Sequence, residues 1–319
     1  WLILEKIQQI FGSGFCDWFM PRITVLGNAG IIWIIIGVAM LIHDLLPDFE
    51  LHASTQMVAH SLEDVKYLES VGFDRVVLAR EVTVEEIKYI CDNCKADIEV
   101  FVHGALCVCY SGQCLMSSMI GNRSGNRGRC AQPCRQRYEL IDVYTGEVVN
   151  SNGDYLLSPR DLNAIEEIDK VIDAGVHSLK IEGRMKTALY VATVARTYRK
   201  AIDDYMESPE LYRSNMEYYK SEIAKCTYRQ FTTGFYFGKT DSDSQIYDNN
   251  TYIKNYTYIG NVQLVTEDGL AVFEQKNKFS VGEMIEAMDF DGTNISCRVE
   301  EIYNDKMEKM ESAPHPKMQ

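Results

Sequence analysis

Residues 75–102 read RVVLAREVTVEEIKYICDNCKADIEVFV, and this stretch carries the pattern that decides the fold. Its two ends, 75–79 and 98–102, are apolar, β-branched runs of strand length. The segment between them, 84–92, has its apolar residues at helical spacing. A strand, a helix and a second strand in this order are typical of a parallel βαβ unit, so we predict an α/β fold.

The same alternation of strand and helix extends on both sides of this unit. Pro159 and Pro209 stand where two helices would begin, and Gly72 and Gly175 directly follow two helix ends. The remaining strands are predicted at 49–51 and 178–181, and the remaining helices at 62–71, 159–174, 187–206 and 209–225. We therefore assign residues 1–238 to one α/β domain.

Beyond residue 255 the sequence changes to short β runs separated by turn signals such as Glu267-Asp268-Gly269. The runs are 256–265, 270–275, 282–288 and 295–302. This spacing predicts a small antiparallel β-barrel domain over residues 255–319. The polar segment 239–254 is interpreted as the linker between the two domains.

Length and composition agree with a two-domain globular protein. The 319 residues are 46% hydrophobic and 24% charged, and the net charge is −14. This acidic balance argues against a protein that coats nucleic acid non-specifically, although a locally basic site remains compatible with it. The apolar run 31–42 has 12 residues, fewer than the roughly 20 of a membrane span. We predict that it is a buried strand leading into a helix, and that the protein is cytoplasmic and not membrane-bound.

Polar side chains follow each predicted parallel strand. In parallel α/β folds the catalytic and binding groups gather at the carboxyl ends of the strands, so these side chains are candidates for one site. The alternative is that a buried Arg–Glu pair only braces the fold. The candidates are His52, Arg80, Glu81, His103, Glu182 and Arg184.

Four cysteines, spaced C-x6-C-x15-C-x3-C, follow the strand at 98–102 within one connection: Cys107, Cys114, Cys130 and Cys134. Thiolates are the usual ligands of iron–sulfur clusters and of structural zinc, and the spacing does not choose between them. Disulfides and unliganded buried thiols are the structural alternatives. Cys109 is expected to face away from Cys107 in an extended segment, and Cys91 and Cys94 are interpreted as incidental.

The cysteine block also has a distinctive charge pattern. Residues 100–138 contain five arginines and no Asp, Glu or Lys. Three of these arginines, Arg123, Arg127 and Arg129, alternate with Ser, Asn and Gly in the segment 123–129, which we call the arginine loop. Guanidinium groups bind phosphate and carboxylate with paired hydrogen bonds, which predicts an anion-binding role. The alternative is a solvated loop whose charge balances the acidic body.

Residues 101–135, FVHGALCVCYSGQCLMSSMIGNRSGNRGRCAQPCR, closely resemble the signature of the peptidase U32 family, the collagenase-like proteins. Further similar blocks are LHASTQM at 51–57, FDRVVLARE at 73–81, SPRDL at 158–162, LKIEGRMK at 179–186, and the C-terminal NKFSVGE and APHP. The resemblance implies a TIM-like barrel, complete or incomplete, followed by a small antiparallel β-barrel domain. Residues 1–45 resemble the family less well.

The family resemblance also implies a chemistry. Some members are RNA or quinone-pathway hydroxylases in which four cysteines hold an iron–sulfur cluster, and Cys107, Cys114, Cys130 and Cys134 match those positions. The branch with this C-terminal domain resembles enzymes that 5-hydroxylate the wobble uridine of tRNA with prephenate as co-substrate. The resemblance therefore implies a [4Fe–4S] cluster, prephenate, tRNA and a second family subunit as cofactor and partners.

Each predicted site residue then has an expected role. The arginine loop would meet the RNA backbone or the prephenate carboxylates. The substrate cavity would be lined by His52, Arg80, Glu81, His103, Glu182 and Arg184. The family name implies instead a peptidase for collagen-like or extended peptides, with His52, His103 or Glu182 as general base. Neither a Ser–His–Asp order nor an HExxH motif is evident. A third hypothesis is a non-enzymatic protein, either a truncated remnant or an RNA-binding accessory subunit.

Overall fold

The computed structural model describes residues 49–149, 153–184, 186–248, 252–267, 269–289 and 293–314. The apolar run 31–42, predicted as a strand leading into a helix, lies outside these ranges. Within them, none of the helices combines the length and the apolar character that crossing a bilayer requires.

The first part of the described chain contains six strands and seven α-helices. The strands are β1 (His52–Ala53), β2 (Arg75–Val77), β3 (Asp97–Ala105), β4 (Asp161–Asn163), β5 (Ser178–Ile181) and β6 (Phe231–Thr232). The helices are α1 (Leu62–Ser70), α2 (Val84–Asn93), α3 (Met116–Gly121), α4 (Ile168–Asp173), α5 (Ala188–Glu207), α6 (Pro209–Ser214) and α7 (Met216–Ile223).

These six strands form one mixed sheet with β3 at its centre. The order is β1-β2-β3-β4-β6, and β5 also pairs with β3. The pairs β1–β2, β2–β3, β3–β5 and β4–β6 are parallel, whereas β3–β4 is antiparallel. The α/β class is confirmed. The strand order does not close on itself within the described ranges, so the TIM-like barrel is not confirmed.

Helices α1 and α2 form where the sequence supplies both a start signal and an apolar face. Ser61 and Thr83 each cap a helix, and the acidic residue at the third helical position bonds back to the cap in both. Leu62, Val65 and Leu68 of α1 are buried in the core against the sheet. Burying such side chains stabilises the fold by about 1.5–3 kcal/mol each.

The prediction of a helix over 159–174 is wrong in its first half. Asp161–Asn163 is strand β4, and α4 begins only at Ile168. The backbone of β4 pairs with β3 on one side and β6 on the other, which a helical conformation would forbid. The predicted helix 209–225 is also divided, because Asn215 interrupts it and bonds through its amide to Asp204.

The C-terminal part consists of antiparallel strand pairs. Its strands are β7 (Gly260–Val265), β8 (Ala271–Gln275), β9 (Phe279–Ser280), β10 (Met284–Met288), β11 (Asn294–Arg298), β12 (Ile302–Tyr303), β13 (Lys309–Met310) and β14 (Ser312–Ala313). The pairs are β7–β8, β10–β11, β12–β13 and β9–β14. Antiparallel pairing is confirmed, while a closed barrel is not seen among the described strands.

The segment predicted as a linker pairs with the residues that precede β4 and β6. Gln245 forms a β-bridge with Pro159, and Ile253 forms one with Tyr228. Ile246 is buried. The boundaries 1–238, 239–254 and 255–319 remain predictions.

Candidate active site

The predicted site residues other than His52 lie near one edge of the mixed sheet, which we call the carboxyl edge. His52 was predicted to follow a strand, but it begins β1 and lies opposite Arg75, the first residue of β2, so it is directed to the other edge. The parallel strands β1, β2, β3 and β5 end there. Strand β4 begins there, because Asp161 lies opposite Ala105 at the end of β3. Strand β6 begins there too, with Phe231 opposite Asp161. In open α/β sheets ligands bind at this edge.

The four predicted ligand thiols share one neighbourhood beyond the end of β3. The thiol of Cys134 interacts electrostatically with those of Cys107, Cys114 and Cys130. Desolvation raises the pKa of the Cys107 and Cys134 thiols, while the Arg135 guanidinium acts in the opposite direction on both. A metal would remove these protons on binding, because thiolates are the ligands.

Cys109, which the sequence predicted to face away, contacts this group of thiols. Its thiol forms a hydrogen bond with that of Cys114. Desolvation and this bond raise the pKa of Cys109 to about 11. The prediction failed because it assumed an extended backbone after Cys107, whereas the chain bends at residues 108–109.

The thiols do not form a compact single-ion site. Across the residues that the structure describes, no three His, Cys, Asp or Glu side chains come close enough together to ligate one metal ion. A structural zinc ion needs four ligands around one point, whereas an iron–sulfur cluster takes a cysteine at each of several separated iron atoms. A set of four thiolates is one that an iron–sulfur cluster accepts, so the residue types present fit the predicted cofactor, and the choice between a cluster and zinc remains a prediction.

Arg80 and Glu81, at the end of β2, are each fixed by neighbours. The Arg80 guanidinium carbon lies 3.7 Å from the centroid of the Phe101 ring. The Glu81 carboxylate accepts from the Ser111 amide at 3.0 Å and lies 3.4 Å from the His60 imidazole. Glu81 thus orders the loop that leads from Cys107 to Cys114.

His103 is enclosed by aromatic side chains. Its ring lies 5.5 Å from the rings of Tyr198 and Phe231, and its Nδ1 lies 3.3 Å from the Tyr198 hydroxyl. Burial lowers the pKa of His103 to about 4, although the nearby Asp161 carboxylate acts in the opposite direction. The ring is therefore neutral at pH 7. Its Nε2 is buried without a hydrogen-bond partner in the described part of the chain.

Glu182 and Arg184 connect β5 to the arginine loop. The Glu182 carboxylate accepts from the Arg184 amide at 3.0 Å. The Arg184 guanidinium lies directly over Gly128, at the place that a side chain on Gly128 would occupy. Gly128 also has a φ of +70°, which favours glycine. Because Gly128 has no side chain, the guanidinium of Arg184 can lie against the loop, where it is the fourth arginine.

The arginine loop itself is ordered by hydrogen bonds and remains exposed. Arg123 donates from Nε to the Arg129 carbonyl at 3.0 Å, and Asn126 donates to the Gly112 carbonyl at 3.1 Å. Arg123, Arg127 and Arg129 are all exposed. His52 is exposed as well, with its Nε2 3.3 Å from Glu50. The loop thus presents several guanidinium groups to solvent beside the thiols.

The sequence did not single out a buried ionic group at the same edge. Asp161 is within ion-pair distance of Arg229, Lys186 and Arg135, at 3.2, 3.7 and 4.0 Å. Asp161 and Lys186 fall within the blocks SPRDL and LKIEGRMK, so the resemblance contained a signal for both. Arg229 had none, because its position beside Asp161 depends on the pairing of β4 with β6.

Comparisons with known proteins identify the family of the chain. The family model for peptidase family U32 matches residues 18–246, and that for the family's C-terminal domain matches residues 254–319. The "tRNA hydroxylation protein P1" of Bacillus subtilis (strain 168) is 35% identical over 308 residues, which cover 94% of this chain and 73% of that protein. No solved structure matches this chain.

Two other similar proteins have different names. The "23S rRNA 5-hydroxycytidine C2501 synthase" of Escherichia coli (strain K12) is 38% identical over 71% of this chain and 35% of its own length. A "Collagenase" of Porphyromonas gingivalis (strain ATCC BAA-308 / W83) is 32% identical over 79% of this chain and 64% of its own length. The family thus includes proteins named for RNA modification and proteins named for proteolysis.

Proposed function

The chain belongs to peptidase family U32, and from this premise we propose that it is an RNA-modifying enzyme that 5-hydroxylates the wobble uridine of tRNA. The observation that carries the proposal is the position of four interacting thiols beside the exposed arginine loop, at the carboxyl edge of the sheet. Relatives named for tRNA and rRNA hydroxylation support the choice of RNA as substrate. The proposal includes a cytoplasmic location.

The proposed cofactor is a [4Fe–4S] cluster held by Cys107, Cys114, Cys130 and Cys134. When bound, such a cluster supplies one-electron redox chemistry. Arg80 and Arg135 act electrostatically on the thiol of Cys107, so they would offset the negative charge of the thiolates. His103 stays neutral, because its pKa is about 4. It therefore adds no positive charge to the site.

The arginine loop is proposed to hold the tRNA backbone next to the thiols. Phosphate contacts from Arg and Lys position a nucleic acid without reading its sequence. Arg184 would add one such contact, since it lies against Gly128 of the loop. The proposed co-substrate is prephenate, whose carboxylates need cationic partners at the same edge. A second family subunit remains a hypothesis.

Nucleoside mass spectrometry tests the proposal. The chain is expressed in a bacterium that lacks its own wobble-uridine hydroxylation genes, and bulk tRNA is digested and analysed. We expect 5-hydroxyuridine-derived nucleosides with the unaltered chain and with Cys297→Ser, which changes an exposed thiol outside the block. We expect none with Cys114→Ser. The same low level from all three chains would refute the proposal.

Peptidase activity is the second candidate, and the relative named collagenase favours it. Its predicted general bases are His52, His103 and Glu182, of which the buried His103 is a poor proton acceptor near pH 7 because its pKa is about 4. A cleavage assay on denatured collagen, with Glu182→Gln as control for contaminating proteases, decides it. Cleavage that disappears in the variant would favour the peptidase, and cleavage equal to that of the variant would exclude it.

A further inference from the structure

Three cationic side chains surround a single carboxylate below the carboxyl edge. Arg229 donates from Nε to Asp161 at 3.2 Å, and the Lys186 Nζ lies 3.7 Å from the same carboxylate. Arg135 lies at 4.0 Å and also donates to the carbonyl of Leu106. In the described ranges, Asp161 is the sole acidic side chain within ion-pair distance of the three.

The charges of this group do not balance. Three cations and one anion leave a formal charge of +2, in a place where Arg229 and Asp161 are each only 1% exposed. Arg135 also faces the thiols, but Lys186 and Arg229 alone still exceed Asp161 by one charge. Burial and the neighbouring guanidinium groups together lower the pKa of Lys186. Buried charges are normally paired, so an excess of this kind indicates a missing anion.

Two polar atoms in the group lack hydrogen-bond partners. The Nη2 of Arg229 and the Nε2 of His103 are both buried and unpartnered among the residues described. His103 feels the charges of both Asp161 and Lys186, so it belongs to the same group. An unpaired buried guanidinium nitrogen costs free energy unless an acceptor occupies the position beside it. A carboxylate oxygen is such an acceptor.

The walls around these cations are aromatic. The Tyr252 ring centroid lies 4.6 Å from the Lys186 Nζ and 4.8 Å from the Arg229 guanidinium carbon. The Tyr190 ring centroid lies 5.0 Å from the same Lys186 nitrogen. Two rings beside two cations suit an anion with an organic body better than inorganic phosphate, because the rings offer apolar surface.

From these contacts we infer that Lys186 and Arg229 form a binding site for a small organic carboxylate, with Asp161 holding both cations in place. The site is separate from the arginine loop, which is exposed. The inference rests on the proposed function in one respect, since prephenate, the co-substrate proposed above, is one of the dicarboxylates that it names as ligands, whereas malonate tests the site by itself. A purely structural ion cluster would instead bind no ligand.

Isothermal titration calorimetry on the full chain tests the site, with malonate, prephenate and inorganic phosphate as probes at constant ionic strength. We expect saturable binding of at least one of the two dicarboxylates. Lys186→Met should weaken it by about tenfold or more, since a charge-assisted contact is lost. Lys170→Met is the matched control, because Lys170 is an exposed lysine that pairs with Glu167, and it should leave the affinity unchanged.

Two further variants keep the result interpretable. Arg229→Met should abolish binding, but Arg229 is buried and the variant risks misfolding. Tyr252→Ala removes the aromatic ring that contacts Lys186 and Arg229 but leaves both charges in place. It should weaken the binding of the dicarboxylates without destabilising the fold. The inference is overturned if no dicarboxylate binds, if Lys186→Met binds like the unaltered chain, or if phosphate binds more tightly than both dicarboxylates. It is also overturned if only Arg127→Met, in the arginine loop, reduces binding.

Discussion

The imidazole of His103 is buried, and this position does not support the role that the sequence suggested for it. The sequence placed this histidine after a strand and suggested a general base. In the structure Tyr190, Tyr198 and Phe231 surround its ring. Because burial lowers its pKa to about 4, it is a poor proton acceptor near pH 7. No spacing in the sequence indicates that enclosure, since the three aromatic residues lie between 87 and 128 positions away.

Acid should expose the effect of this histidine on stability. Between pH 6.5 and about 4, the unfolded chain binds the proton that folded His103 does not. The free energy of unfolding therefore falls as the pH falls through this window. His103→Gln should reduce that fall by on the order of 3 kcal/mol. Urea denaturation at several pH values measures it.

His52→Gln, which replaces an exposed histidine, is the control for this experiment. It should show the acid dependence of the unaltered chain. If His103→Gln and His52→Gln lose the same stability between pH 6.5 and 4, the burial argument for His103 is wrong.

Gly128 offers a second test at single residues. A methyl group there would overlap the Arg184 guanidinium, so Gly128→Ala should push Arg184 away from the arginine loop. Because one phosphate contact is lost, the salt dependence of tRNA binding should decrease by about one unit of slope. Fluorescence anisotropy with labelled tRNA over a salt series provides the measurement.

Gly146→Ala is a closely matched control. Gly146 has a φ of +72°, against +70° at Gly128, but a methyl group there would meet no atom within 4 Å. Both variants should lose similar stability from backbone strain, about 1–2 kcal/mol. Equal effects of the two variants on tRNA binding would show that Arg184 does not take part in it.

At the scale of single elements, local signals decided which predictions succeeded. Helix α2 (Val84–Asn93) was predictable because its apolar residues recur at helical spacing, and two of them, Ile87 and Ile90, are buried. Strand β4 (Asp161–Asn163) was not, because its partners are 58 residues earlier and 70 residues later in the chain. The proline at 159 resembled a helix start, but pairing with β3 and β6 determined the conformation.

The cap of α2 can be tested separately from its apolar face. The Thr83 hydroxyl accepts from the Glu86 amide at 3.3 Å, and the Thr83 amide donates to the Glu86 carboxylate at 2.9 Å. Thr83→Ala should lower the free energy of unfolding by about 1 kcal/mol. Thr83→Ser retains the hydroxyl and should cost much less in thermal or chemical denaturation. Equal losses would indicate that the cap is not what Thr83 contributes.

At the scale of the whole molecule, a buried carboxylate joins the C-terminal strands to the helices. Glu222 of α7 accepts from Arg196 at 2.5 Å, from Lys225 at 2.6 Å and from Asn294 of β11 at 2.8 Å. Glu286 of β10 pairs with Lys225 as well. The polar contacts of one side chain therefore connect elements from both parts of the chain.

Removing the charge of Glu222 should weaken both parts together. Glu222→Gln leaves Arg196 and Lys225 without their buried partner, so the free energy of unfolding should fall by about 3–5 kcal/mol. Calorimetry provides the measurement. Glu217→Gln breaks an exposed pair with Lys220 and should cost less than about 1 kcal/mol. Similar losses in the two variants would contradict this account of the junction.

The sequence predicted the parallel strands and the antiparallel C-terminal pairs, because these features depend on local patterns. It missed the group around Asp161, whose members come from residues 135, 161, 186 and 229 and meet only through the strand order. Closure of the barrel is a similar long-range property, and it remains a prediction for this chain.

Iron and sulfide analysis of the protein purified without oxygen tests the central claim, that the four thiols hold a redox cofactor beside the arginine loop. The account predicts brown protein with about four iron and four sulfide per chain, colourless Cys114→Ser protein, and Cys297→Ser protein that retains the colour. Colourless, iron-free protein that the Cys114→Ser substitution leaves unchanged would contradict it.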